Sequence, residues 1–161
     1  MFGINIGYAI SYKEAEGFCI ETGMKNVLLP KEDFDFRVLI GFDEDGIPDD
    51  KIAKCKELQN KGVVALAETI DELFNLIQNL YASRQGIEIY HEDKPYLFMG
   101  TESYAVTEFQ CEVWRSANGQ RTVGEILEMV KYQDISSSKM SYDFMESVVS
   151  LTASDMLNLR Y

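Results

Sequence analysis

This chain of 161 residues has little of what most catalytic sites are built from. Its only histidine is His91, and its cysteines are Cys19, Cys55 and Cys111. Three cysteines at long spacings form neither a disulfide framework nor a metal pattern, so we expect free thiols in a reducing cytoplasm. His91 adjoins Glu92 and Asp93 in a predicted hairpin turn, a solvated position that does not suit preorganised acid–base catalysis. We therefore predict that the protein is not an enzyme.

Basic residues and long apolar runs are also scarce. There are 15 Lys and Arg residues against 27 Asp and Glu residues, which gives a net charge of −12. Such a field repels phosphate backbones, and no basic cluster offsets it, so we predict no nucleic-acid partner. No stretch approaches the ~18 apolar residues of a membrane span. The first eight residues lack the basic region of a signal peptide. We expect a cytoplasmic protein without a membrane partner.

Motifs for metals and cofactors are missing as well. The acidic run Asp43–Asp50 invites a calcium interpretation, but an EF-hand loop with Gly46 at its sixth position would begin at Gly41 and end at Ile52. Neither of those side chains supplies an oxygen ligand. The glycines match no dinucleotide or phosphate-loop pattern. The sequence therefore predicts no metal and no cofactor.

What the chain does have is apolar sequence in regular patterns. In the first half, alternation over residues 2–12 predicts a strand, and residues 17–29 predict a hairpin. A helix is expected over 31–41, with Phe34 and Val38 buried. A second helix follows Pro48, residues 63–66 form a short strand, and a capping box at Thr69 opens another helix. The best candidate for a domain boundary follows, at residues 83–86.

The second half begins with a predicted hairpin over residues 87–99 and a strand over 103–106. Thr107 caps a helix that carries Trp114, which we expect to be a core residue. Thr122 and Glu125 form a further capping box. A loop over 134–138, a helix from Ser141 and a last strand over 156–159 complete the pattern.

The two halves are similar in order. The segments that match are Gly17–Ile20 with Gly86–Ile89, Val27–Pro30 with Tyr104–Thr107, and Ile47–Ile52 with Thr122–Ile126. We predict an α+β fold of two winged-helix-like units, each a small antiparallel β-sheet with a helix-turn-helix. The first unit, with a linker helix, covers residues 1–83 and the second covers 84–161. A degenerate tandem repeat, two independent units, and one α+β domain with coincidental patterning stay open.

The strand over 103–106 and the last long helix suggest a binding surface. A strand near a sheet edge accepts an extended peptide through backbone hydrogen bonds. The helix is apolar on two adjacent faces, one with Phe144, Val148 and Leu151 and one with Met145, Val149 and Thr152. Either a groove lies between strand and helix, or the second helix face packs on the N-terminal half. The residues alone leave both open.

Residues 86–161 resemble the PqqD-like family, the recognition elements of pathways that modify ribosomally made peptides. The resemblance is carried by Tyr96-Leu-Phe, Tyr104-Ala-Val-Thr, Asn118–Ile126 and Phe144–Leu159. It implies a non-catalytic accessory protein that binds the leader of a precursor peptide by strand addition and delivers it to a peptide-modifying enzyme. Residues 1–83 are an addition that a minimal family member does not have.

The resemblance also implies which residues contact the peptide. They are Ser103, Tyr104, Ala105 and Val106 on the strand, and Phe144, Met145, Val148 and Leu151 on the helix. A Val148→Asp substitution is then expected to abolish peptide binding without unfolding the chain. The alternative is a winged-helix transcriptional regulator or a protein–protein interaction subunit. Its recognition helix over 122–131 would carry two glutamates and one lysine, a poor composition for phosphate contacts. A homodimer is compatible with either function.

Overall fold

The computed structural model describes residues 1–131 and 137–161, with the side chains of all of these except 137–140. The first half consists of β1 (Phe2–Asn5), β2 (Tyr8–Lys13), β3 (Gly17–Glu21), β4 (Asn26–Leu29), α1 (Lys31–Val38), α2 (Asp49–Lys61), β5 (Val64–Ala67) and α3 (Ile70–Ile77). The second half consists of β6 (Tyr81–Arg84), β7 (Ile87–His91), β8 (Lys94–Met99), β9 (Glu102–Ala105), α4 (Glu108–Ser116), β10 (Asn118–Thr122), α5 (Val123–Val130), α6 (Ser137–Ala153) and β11 (Leu157–Arg160). The predicted α+β class is confirmed. The predicted loop over 134–138 begins outside the described residues, and Ser137 already lies in α6.

The strands form small antiparallel sheets. Two are three-stranded meanders, β2-β3-β4 and β7-β8-β9, as the predicted hairpins require. The other two are assembled from distant segments. β1 pairs with β5, and β6 lies between β10 and β11. These long-range pairings hold each meander against its helices.

Capping boxes start three of the helices. Thr69, Thr107 and Thr122 each accept a hydrogen bond from the backbone N–H three residues later. In turn, the side chains of Glu72, Gln110 and Glu125 accept a hydrogen bond from the N–H of the capping threonine. Each pair satisfies two backbone donors that a helix start otherwise leaves free. The boxes predicted at Thr69 and Thr122 are confirmed.

The same order of elements recurs in the two halves. In each half a first strand, β1 or β6, is followed by a three-stranded meander and then by a helix. The first strand pairs with a later strand, β5 or β10, and that later strand is followed by a helix with a threonine cap. Gly7 and Gly86 follow the two first strands, and both have positive φ. A side chain at either glycine would collide with a carbonyl oxygen of the adjacent meander. In this order of elements the counterpart of Thr122 is Thr69, since each caps the helix after the later strand. The sequence comparison had instead matched residues 47–52 with residues 122–126.

One hydrophobic core joins the two halves. Its buried members from before residue 84 include Ile4, Leu73, Ile77, Leu80 and Ala82, and those from after it include Leu97, Trp114, Ile126, Phe144 and Val148. A smaller cluster of first-half residues is built on Ile20, Leu29, Cys55 and Leu58. The boundary predicted between residues 83 and 84 cuts β6, and both neighbours of β6 come from the second half. The two halves are therefore packed together and not separated by a linker.

The sequence misjudged three local features. The expected strand over 2–12 is two strands, because Gly7 turns the backbone between them. Strands β6 and β10 were missed because their residues are mostly polar. In α1 the prediction that Val38 is buried is wrong: Val38 is 42% exposed, while Asp33 and Arg37 are buried. Asp33 pairs with Lys54 and Lys61 of α2, and these partners allow its burial.

Candidate peptide-binding site

The predicted strand residues lie at the edge of the second meander. Within the described part of the chain, β9 pairs with β8 and with no other strand. Ser103 and Ala105 are exposed, whereas Tyr104 and Val106 are half-buried and pack against the core. The four predicted residues of 103–106 are thus together, and two of them face solvent.

The predicted helix residues lie elsewhere. Phe144, Met145, Val148 and Leu151 are each 2% exposed or less. Helix α6 packs on α4, β11, β1 and α3, and the ring of Phe144 meets that of Phe74 edge-on at 6.4 Å. The N-terminal half therefore covers part of α6 through β1, α3 and the ring of Phe74, while α4 and β11 cover other parts of the helix. Within the part of the chain that the structure describes, these four side chains are buried and do not line an open groove, which corrects the expectation drawn from the sequence.

The free edge of β9 presents two residues with outward backbone groups. The N–H of Val106 donates to the carbonyl oxygen of Pro95 at 3.2 Å. Because bonded and non-bonded pairs alternate along an antiparallel ladder, Tyr104 and Glu102 are the next residues bonded to β8. The N–H and C=O groups of Ser103 and Ala105 therefore point away from β8. These are the groups that an added strand would pair with.

The face of this meander that points away from α4, here called the outer face, is apolar. The cross-strand pairs are Ile87 with Phe98 and Ile89 with Tyr96, and β9 continues these rows with Ser103 and Ala105. Ile87 is 61% exposed and Ile89 is 42% exposed. The rings of Tyr96 and Phe98 lie 6.5 Å apart. This face was not predicted from the sequence, although the apolar alternation in β7 and β8 contains the signal.

The opposite face of the meander is fixed to α4 by a polar cluster. Arg115 forms a two-point ion pair with Glu88, in which Nε donates to Oε2 at 2.9 Å and Nη2 donates to Oε1. Arg115 also donates to the hydroxyl of Tyr90 at 2.8 Å, and that hydroxyl donates to Glu108. The hydrogen bonds from Arg115 hold the pKa of Glu88 below its usual range. Strand β7 is thereby anchored, so the outer face is presented on a rigid support.

Trp114 is a core residue, as predicted. It is 5% exposed, and its Nε1 donates to the carbonyl oxygen of Gln85 at 3.0 Å. The guanidinium of Arg84 lies over the ring, 5.3 Å from its centroid. Trp114 therefore ties α4 to the turn between β6 and β7.

The groups that catalysis usually employs are exposed or inert in the described residues. His91 is exposed at the end of β7. Burial raises the pKa of the Cys111 thiol to about 11 and also raises that of Cys55, which opposes thiolate formation. In the described part of the chain, no group of three or more His, Cys, Asp or Glu side chains is arranged to hold a metal ion.

None of the described helices combines the length and the apolar character needed to cross a membrane. The sequence matches no protein-family model, no curated protein and no solved structure. The geometry of the β9 edge and the outer face is therefore the basis for assigning a function.

Proposed function

We propose that this chain is a non-catalytic peptide-binding accessory protein, which receives an extended peptide segment on the free edge of β9. One observation carries the proposal: the outward backbone groups of Ser103 and Ala105 lie beside an exposed apolar sheet face. Backbone pairing supplies affinity for any extended segment, and the neighbouring face supplies selectivity.

The side chains around the edge indicate what the peptide carries. Ser103 and Ala105 are small, so the rings of Tyr96 and Phe98 on the adjacent strand stay accessible from the β9 side. A peptide with a large apolar residue at every second position would place those residues toward these rings. The net charge of −12 favours a peptide that also has basic residues.

The resemblance of residues 86–161 to the PqqD-like family supports a more specific role. The bound segment is then the leader of a precursor peptide, and the second partner is a cytoplasmic peptide-modifying enzyme. Since α6 packs against β1 and α3 of the N-terminal half, the peptide would contact the edge and the outer face of the meander, without a strand–helix groove.

The test is a peptide-display selection against the full chain, followed by affinity measurements with two variants at one position. Ala105→Pro removes an outward N–H but spares the ladder with β8, as expected for proline on an edge strand. Ala105→Ser keeps that N–H and is the matched control. Selected peptides should bind Ala105→Ser like the parent and bind Ala105→Pro at least about tenfold more weakly.

Circular dichroism melting of both variants establishes that the fold is intact. Equal affinity of the selected peptides for the parent and for Ala105→Pro would show that the β9 edge is not the site. Protection of the Ser103 and Ala105 amides from hydrogen exchange in the complex would independently support the β9 edge as the peptide-binding site.

The second candidate is a protein–protein interaction subunit that uses the outer face itself, including self-association as a homodimer. The exposure of Ile87 and Ile89 favours it. Sedimentation velocity over a range of concentrations distinguishes the two. If the chain self-associates and Ile87→Lys abolishes the self-association, this candidate is supported. If the chain is a monomer at all concentrations, the homodimer is opposed.

A transcriptional regulator is the weaker alternative, because the exposed side chains near the end of α5 include Glu128 and offer little to phosphates.

A further inference from the structure

A small cavity, separate from the outward groups of Ser103 and Ala105, lies where the two halves meet. Its volume is about 180 Å³, well above the roughly 10–15 Å³ that one water molecule needs. It is lined by Tyr8, Ala9, Gln85, Met99, Asp155 and Asn158. Ala9 and Gln85 are exposed, so the cavity opens to solvent on that side. These residues come from β2, the turn before β7, the end of β8, and the segment from α6 to β11.

Two polar side chains that line the cavity have no hydrogen-bond partner among the residues that the structure describes. Asn158 is 6% exposed, and among the described residues its side-chain amide makes no hydrogen bond. The carboxylate of Asp155 likewise has no hydrogen bond and no ion pair within the described part of the chain. Because buried polar groups in native proteins are nearly always hydrogen-bonded, the buried Asn158 amide beside the half-buried Asp155 carboxylate indicates a ligand or ordered solvent in the cavity.

The Asp155 carboxylate is the feature of the cavity that favours a positively charged ligand. Arg37 is within electrostatic range of Asp155, but its guanidinium is engaged by the carbonyl oxygens of Ile6, Gly7 and Val63. Burial raises the pKa of Asp155 in spite of Arg37, so the carboxylate is not fully compensated. The C-terminal end of α6, just before Asp155, adds partial negative charge.

The remaining lining groups suit an ammonium with a short apolar stem. The neighbouring Glu21 raises the pKa of the Tyr8 phenol, which stays protonated and has lone pairs on its oxygen. Gln85 and Asn158 each supply an amide oxygen as acceptor. Met99 and Ala9 supply an apolar wall. Glu21 and Arg160 are the other charged groups near this side of the cavity.

We propose that this cavity is a binding site for a small primary ammonium group, held by the Asp155 carboxylate and the Asn158 amide oxygen. The ammonium is either a small free amine or the end of a larger molecule whose stem extends past Ala9 and Gln85. The outward groups of Ser103 and Ala105 are not part of this site, and neither proposal requires the other.

The test is a titration of the full ¹⁵N-labelled chain with n-propylammonium chloride at constant ionic strength, followed by NMR. Tetramethylammonium chloride is the control ligand, because it has the same charge and no N–H donor. We expect saturable shifts in the amides of Tyr8, Gln85, Met99 and Asn158, with a dissociation constant in the millimolar range. Tetramethylammonium should produce no saturable shift at these positions.

Two charge-removing variants complete the design. Asp155 and Asp93 both have left-handed backbones, with φ of 57° and 60°, and asparagine tolerates that conformation. Asp155→Asn should weaken binding at least about tenfold, whereas Asp93→Asn, in the exposed turn after β7, should bind like the parent. The proposal is overturned if the parent shows no saturable shift, if Asp155→Asn binds like the parent, or if tetramethylammonium binds equally well.

Discussion

The Nη2 of Arg37 donates to the carbonyl oxygen of Ile6 at 2.9 Å, so helix α1 is joined to the residue that follows β1. The same guanidinium donates to the carbonyl oxygens of Gly7 and Val63. The side chain of Asn5 donates in return to the carbonyl oxygen of Arg37 at 2.9 Å. Burial lowers the pKa of Arg37 to about 10, which still leaves it charged at pH 7. One buried cation thus satisfies backbone acceptors at the end of β1 and the start of β5.

Replacing Arg37 with methionine should destabilise the protein by about 3 kcal/mol or more, because buried carbonyl oxygens lose their donors. Arg37→Lys keeps the charge but lacks the planar set of donors, so it should also be clearly destabilising. Lys56→Met, at an exposed position of α2, should change stability by no more than about 0.5 kcal/mol. Urea unfolding followed by Trp114 fluorescence measures all three. A similar loss for Arg37→Met and Lys56→Met would contradict the role given to Arg37.

Val148→Asp should unfold the chain, contrary to the expectation drawn from the sequence. Val148 is 1% exposed in the shared core, where an unpaired carboxylate is strongly unfavourable. Ile89→Asp is the matched control, since it makes the same kind of change on the outer face. It should retain a cooperative thermal transition, as measured by circular dichroism. A folded Val148→Asp variant that loses only peptide binding would restore the groove assignment.

Glu88→Gln should lower stability by about 1–2 kcal/mol at pH 7, because Arg115 loses its charged acceptor. The pKa of Glu88 is lowered in the folded state, chiefly by hydrogen bonds from Arg115. Its contribution is therefore fully present above the unfolded-state pKa and is lost as the pH falls through the lowered folded-state pKa.

The stability difference between the parent and Glu88→Gln should accordingly shrink as the solution is acidified. Denaturant titrations at several pH values from neutral to acidic measure it. Glu14→Gln, in the exposed turn between β2 and β3, is the control and should change stability by no more than about 0.5 kcal/mol at pH 7. If the difference in unfolding free energy between the parent and Glu88→Gln stays constant or grows on acidification, the ion pair with Arg115 is not the cause of that difference.

Thr122→Ala should cost about 1 kcal/mol, because the N–H of Glu125 loses its acceptor at the start of α5. Thr122→Ser retains the hydroxyl and should lie close to the parent. Thermal melting of both variants distinguishes loss of the cap from loss of the threonine methyl group. Equal destabilisation by alanine and serine would assign the effect to the methyl group instead.

The features predicted correctly from the sequence are those that depend on near neighbours. The boxes at Thr69 and Thr122 follow from residues three positions apart. The pairing of β7 with β8 follows from two alternating segments joined by a tight turn. The burial of Trp114 follows from its place on an amphipathic helix.

Features that depend on distant pairing were not predicted. Strand β6 is short and partly polar, and it forms because β10 and β11 supply partners on both sides. Asp33 and Arg37 are buried because α2, β1 and β5 bring cations and carbonyl oxygens to them. Neither set of partners can be identified from the local sequence.

The candidate sites divide in the same way. The sequence by itself determined the acidic charge, the capped helices and the strand at 103–106, whose outward groups now define the proposed peptide edge. Tertiary structure decided that α6 packs against β1 and α3 of the N-terminal half, and that Asp155 and Asn158 share a cavity with Tyr8. The physical reason is that an apolar helix face is equally suited to a peptide or to another part of the chain. Which of the two covers it depends on long-range packing that local patterns do not encode.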